Sequence, residues 1–150
     1  MGNLAVLNEL IEINNDRVAG FEKAIADIQD ENIDLKSIFQ RYSEQSRTFS
    51  QELSLVVARE GGDAETGTSV TGALHRAWID VKSLFGGTDR LSILEEAERG
   101  EDAIKAAYKA TLDHANLAGD ALSLVMKQAF GVKEGHDEIK RLRDAAKASR

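Results

Sequence analysis

Residues 30–62, DENIDLKSIFQRYSEQSRTFSQELSLVVAREGG, decide the fold. Leu35, Ile38, Phe39, Tyr42, Phe49, Leu53 and Val56 recur three or four residues apart, the spacing of one helix face. Ser46 occupies the step that the stripe skips. Gly61 and Gly62 end the run, as glycine past a last helical turn usually does, so the spacing predicts a helix to about Glu60. Upstream, the polar residues Asp30–Asp34 form a short turn. Before it, Leu4, Leu7, Ile11, Val18, Phe21, Ile25 and Ile28 mark a helix from about Asn3 to Gln29, with Asn14 interrupting the same face. Two helices joined by so short a turn pack antiparallel.

Downstream the pattern changes. Gly61–Thr68 is a Gly/Thr-rich loop, and Val70, Ala73, Leu74, Ala77, Trp78, Val81, Leu84 and Phe85 then form a shorter amphipathic stripe closed by Gly86 and Gly87. A connection of this length can carry the chain back along a bundle, leaving the next long helix parallel to the previous one, the crossover topology of ferritin-like bundles. The third long helix is expected over about Asp89–His114, with Thr88 as N-cap or Ser92 and Glu95 as a capping box one turn further in. Its inner face carries Leu94, Ala97, Ile104, Tyr108 and Ala115. After a turn at Asn116 the last helix spans about Leu117–Ala148, with Ala121, Val125, Ala129, Val132, Ile139 and Leu142 inward. Gly131 and Gly135 weaken it and favour a kink or break there. The expected fold is all-α: one four-helix-bundle domain over residues 1–150, with a long B–C crossover containing an additional helix and a short basic tail from about 145 to 150.

Composition agrees. The 150 residues are 42% apolar and 30% charged, and none is proline, which leaves long helices unbroken. The net charge of −7 and the pI near 5.0 argue against nucleic-acid partners, whose phosphates an acidic surface repels. Lys140, Arg141, Arg143, Lys147 and Arg150 complement the C-terminal end of the last helix; the alternative for them is a basic docking tail. With no cysteine, disulfides and thiolate ligands are excluded. The first ten residues are too polar for a signal peptide and no run approaches 18 apolar residues. A soluble cytoplasmic protein without a membrane partner is expected.

Polar residues within the apolar stripes are the candidate site. Glu101 lies four residues after Ala97 and three before Ile104, and a carboxylate on a buried face must be paired, protonated or bound to a cation. Gln128 and His136 hold similar positions around Val132, and Glu22 flanks Phe21 and Ile25. One reading is a carboxylate-bridged metal site, since four-helix bundles project Glu and Glu-x-x-His groups inward. The other is a hydrogen-bonded polar layer that fixes helix register. No Glu-x-x-His occurs: Gly72, Thr111 and Lys133 stand three residues before His75, His114 and His136. His75, Arg76 and Trp78 group on the crossover helix, with Trp78 on its apolar stripe. The acidic run Glu95, Glu96, Glu98, Glu101 and Asp102 reads as a helix-dipole complement or a cation site. Nucleophile, phosphate-loop and dinucleotide signatures are absent.

Four segments in order, FQRYSEQSRTFSQEL (39–53), LHRAW (74–78), ILEEAERGEDAIKAAYKATL (93–112) and HDEIKRLRD (136–144), resemble the bacterial ferritin-like family known as domain of unknown function 2383. LHRAW and ILEEAERGE are the most specific. The resemblance implies a ferritin-like bundle with an extra helix in the crossover, and no activity. Ferritin-like di-iron proteins carry a lone Glu on the first and third long helices and Glu-x-x-His on the second and fourth. Glu22 and Glu101 match the lone glutamates. The second-helix counterpart is Glu44-Gln45-Ser46-Arg47, with arginine in the histidine position, and on the fourth helix Gln128 or the Glu134–Asp137 pair would serve. The ligand set is incomplete. The expectation is a non-enzymatic bundle, self-associating as a dimer through exposed faces of the crossover helix; a stress-related setting is implied by family association only. A rival is an iron-handling or oxidoreductase protein whose metal ligands come from Glu22, Glu44, Glu101, Gln128 and His136. A third option is a module that takes a partner helix or a small apolar ligand.

Overall fold

A computed structural model describes residues 3–67 and 89–149. Four long helices account for nearly all of them: α1 (Asn3–Asp27), α2 (Ile33–Arg59), α3 (Arg90–His114) and α4 (Gly119–Ala148), with a single 3₁₀ turn, Asp30–Asn32, between α1 and α2. The described residues are all-α, with no strand among them. None of these helices is long and apolar enough to cross a membrane. The expected crossover helix, with His75, Arg76 and Trp78, lies outside the described residues.

Local chemistry sets the boundaries. Gly61 ends α2 at a φ of 84°, and the Gly62 amide closes back on the Val57 carbonyl at 2.9 Å. This is a left-handed cap that glycine adopts without a Cβ clash. α3 begins at Arg90, with Asp89 rather than Thr88 as the N-cap, its carboxylate accepting from the Ser92 amide at 3.4 Å and the Ser92 hydroxyl at 3.2 Å. Ser92 is thus the partner of a cap rather than the cap itself. α4 runs unbroken through Gly131 and Gly135, so there is no break at these glycines.

Side-chain pairings give the directions. Along α1 and α3, Asn3 meets Asn116, Asn14 meets Tyr108 and Arg17 meets Glu101, so the two helices are antiparallel. Along α2 and α4, Tyr42 meets Glu138 and Glu52 meets Gln128, again antiparallel. The starts of α2 and α3 lie together, where Arg90 grips Asp34 at 2.8 and 2.9 Å. α1 and α4 therefore run one way, α2 and α3 the other. At 1.5 Å per residue, the link from α2 to α3 must return over about 40 Å. Its first residues begin that return along α1: Gly62 lies against Leu4, Asn8 bonds the Asp63 carbonyl and the Glu65 amide, and Asn15 bonds the Gly67 carbonyl.

The core is built from the inward stripes of all four helices. Leu7, Leu10, Ile11, Phe21, Leu35, Phe39, Leu53, Leu94, Ile104, Val125, Val132 and Ile139 are essentially sealed from solvent. Burying each such side chain stabilises by about 1.5–3 kcal/mol. The stripes are interrupted at one level of the bundle, and the interruptions face each other.

Candidate functional site

Asn14 and Arg17 on α1, Ser46 on α2, Glu101 on α3 and Gln128 on α4 are each 0% exposed. They form one hydrogen-bonded chain. Arg17 clasps Glu101 with two parallel bonds, Nε to Oε1 at 2.8 Å and Nη2 to Oε2 at 2.7 Å, the fork-to-fork geometry that makes arginine–carboxylate pairs strong. Its Nη1 donates to Gln45 Oε1 at 2.7 Å and to the Ser46 hydroxyl at 3.0 Å. Ser46 in turn donates to Asn14 Oδ1 at 2.9 Å, and Asn14 Nδ2 donates to the Tyr108 hydroxyl at 2.8 Å and the Leu10 carbonyl at 2.9 Å. Tyr108 passes its proton toward Gln128 Oε1 at 2.6 Å. The Gln128 amide finishes the chain on the Phe49 carbonyl and Glu52 Oε1, both at 3.2 Å.

One cation and one anion balance at the centre. The guanidinium also lies 5.5 Å from the Phe21 ring centre and 5.3 Å from that of Tyr42, where the aromatic faces favour a positive charge. Space for the pair comes from α4. A Cβ at Gly135 would sit 2.9 Å from Arg17 Nη2, 3.1 Å from Glu101 Oε2 and 3.1 Å from Tyr42 Cε1. Burial pushes the Tyr108 phenol well above its usual range, with the Asn14 bond opposing the shift. Burial pushes Tyr42 up too, helped by Glu138.

A second group lies outside this layer, between α3 and α4. His136 Nε2 is 2.6 Å from Asp102 Oδ1 and its Nδ1 is 3.2 Å from Asp137 Oδ1. Lys133 holds Asp137 at 2.9 Å. Lys133, with help from His136, keeps the Asp137 carboxyl at about 2. Glu98, one turn before Asp102, faces the same point and pairs with Arg143 at 2.9 Å.

The residues singled out by sequence are dispersed. Glu22 and Glu44 both pair with Arg47, on the outside of the α1–α2 hairpin, with half or more of each carboxylate side chain exposed. Glu101 is held by Arg17, Gln128 lies at the far end of the same hydrogen-bonded chain, and His136 belongs to the outer group. Glu134 is exposed. Arg17 is the residue that sequence reasoning passed over. Its signal was available: Leu7, Leu10, Asn14, Arg17 and Phe21 step by three and four along one face, which places the arginine inward beside the flagged Asn14.

A family model described as a domain of unknown function, DUF2383, matches residues 3–114. The matched span contains α1, α2 and α3, and with them Arg17, Ser46 and Glu101. No curated protein matches the chain.

Proposed function

The chain belongs to the DUF2383 family, and on that premise we propose that it is a ferritin-like bundle without catalytic chemistry, whose buried polar layer is a structural element and which acts by self-association. The observation that carries this reading is the Arg17–Glu101 clasp. In a carboxylate-bridged iron centre, the carboxylates must have oxygens free for the metal. Here both Glu101 oxygens are taken by a guanidinium, so the protein supplies the layer's cation from its own chain. Glu22 and Glu44 engage Arg47 at the surface. These residues do not suit a pair of iron ions in the core. The opposed directions of α1/α4 and α2/α3 support the ferritin-like assignment, because that arrangement requires a long second connection.

Met126 and Phe130 support self-association. They stand one turn apart on α4 and are 56% and 64% exposed, and apolar neighbours on a free helix face favour a covered state. The cytoplasm is the setting we propose, on the acidic, cysteine-free composition. The test is anaerobic loading with ferrous iron, followed by admission of oxygen and sedimentation of the same samples at tens of micromolar. The expected outcome is no protein-dependent iron oxidation and a dimer that dissociates in Phe130→Glu. Rapid iron oxidation that disappears in Glu101→Gln would overturn the non-catalytic reading, and a strict monomer would overturn the self-association.

A further inference from the structure

We propose that Glu98, Asp102 and His136 form a surface binding site for a divalent transition-metal ion of the zinc type, separate from the buried polar layer. One donor atom from each lies within 4.8 Å of the other two, so side-chain adjustments of about an ångström, including the parting of His136 and Asp102 from 2.6 Å, bring all three onto a single ion with bonds near 2.0–2.2 Å. Glu98 and Asp102 are four residues apart on α3, so one helix face presents both carboxylates together. His136 comes from the facing turn of α4.

The histidine's surroundings point to a cation. A neutral imidazole has one N–H and one bare nitrogen. At His136 both nitrogens face carboxylate oxygens, Asp137 at 3.2 Å and Asp102 at 2.6 Å. A single proton can serve only one of them; the other contact needs a positive charge between ring and carboxylate, either a second proton or a metal. Asp137 is placed as the outer partner that metal-ligating histidines usually have, bonding Nδ1–H and directing the Nε2 lone pair at the ion. Lys133 anchors Asp137 from behind.

The site also has access and room for water ligands. A cleft of about 200 Å³ lined by Glu95, Glu98, Arg99, Asp102 and Arg143 opens beside it. His136 itself is nearly buried, its side chain 9% exposed, while Asp102 is 61% exposed, so an ion would enter from the Asp102 side. One imidazole nitrogen, two carboxylates and water make a donor set that suits zinc and its neighbours. Arg143 contributes the charge opposite Glu98, at 2.9 Å, and therefore competes with a metal ion for it.

The test is calorimetric titration of the full chain with zinc chloride, after dialysis against chelator and then buffer. One ion should bind per chain, with affinity lowered about ten-fold or more in Asp102→Asn and in His136→Gln. Arg143→Gln should bind more tightly than the parent, and His114→Gln should match it. Nitrogen-15 spectra should show zinc moving the His136 Nε2 resonance while Nδ1 keeps its proton, a readout that a merely folded variant cannot mimic. Unchanged zinc binding in both Asp102→Asn and His136→Gln, or no binding by the parent at hundreds of micromolar, overturns the site. Either result leaves the iron-oxidation test of the core unaffected.

Discussion

A guanidinium offers five N–H donors in a fixed plane, and Arg17 directs four of them at Glu101, Gln45 and Ser46 while fully buried. Whether this stabilises the fold depends on two opposed magnitudes. Removing both charges from water costs several kcal/mol per ion, and a well-made pair only roughly recovers it. Breaking the pair from one side leaves a lone buried charge. Glu101→Leu and Arg17→Met are each expected to cost about 3–5 kcal/mol, whereas the double variant should lie much closer to the parent. Urea unfolding of all four proteins measures this; additive losses would show that the pair is not coupled. At this scale the sequence was partly legible. Glu101 and Gln128 announced themselves by breaking apolar stripes, and so did Asn14 and Ser46. That Arg17 meets Glu101 was not legible, because a stripe says which way a residue faces and nothing about what it meets.

At the scale of the element, α4 shows how one residue type carries opposite meanings. Glycine in a helix interior costs about 1 kcal/mol relative to alanine, which is why Gly131 and Gly135 read as a weak point. The helix is continuous because the glycines let it approach its neighbours. At Gly135 a methyl group would press on a guanidinium and a carboxylate already locked to each other. Gly135→Ala is therefore expected to lose more through overpacking, about 1–3 kcal/mol, than it gains in helix propensity. The methyl of Gly131→Ala would meet the tips of Gln45 and Phe49, each at 3.1 Å, and the flexible glutamine can yield. That variant should be near neutral or slightly stabilised. Thermal unfolding of the pair gives the order; a Gly135→Ala protein more stable than the parent would refute the close-packing account.

For the whole molecule, the two tyrosines of the chain, Tyr42 and Tyr108, join pH to cooperative stability. Burial raises both phenols above the ordinary 10, so folding favours their neutral form. Their contribution is fully present below pH 10 and is lost as pH rises toward the folded-state values. Tyrosinate absorbance should accordingly rise together with the loss of helical circular dichroism, above pH 10, rather than in a separate step near 10 with the helices intact. The sequence by itself determined the all-α class, the four long helices to within a few residues, and the inward turn of Asn14, Ser46, Glu101, Gln128 and His136. Helical periodicity and capping are local, so they survive in one dimension. Only the tertiary structure decided that Arg17 holds Glu101, that Glu22 and Glu44 face Arg47 outside, and that His136 sits between Asp102 and Asp137. The pairings between helices, Arg17 with Glu101, Glu22 with Arg47 and His136 with Asp102, join residues 25 to 84 apart and depend on helix rotation and direction, which no spacing along the chain encodes.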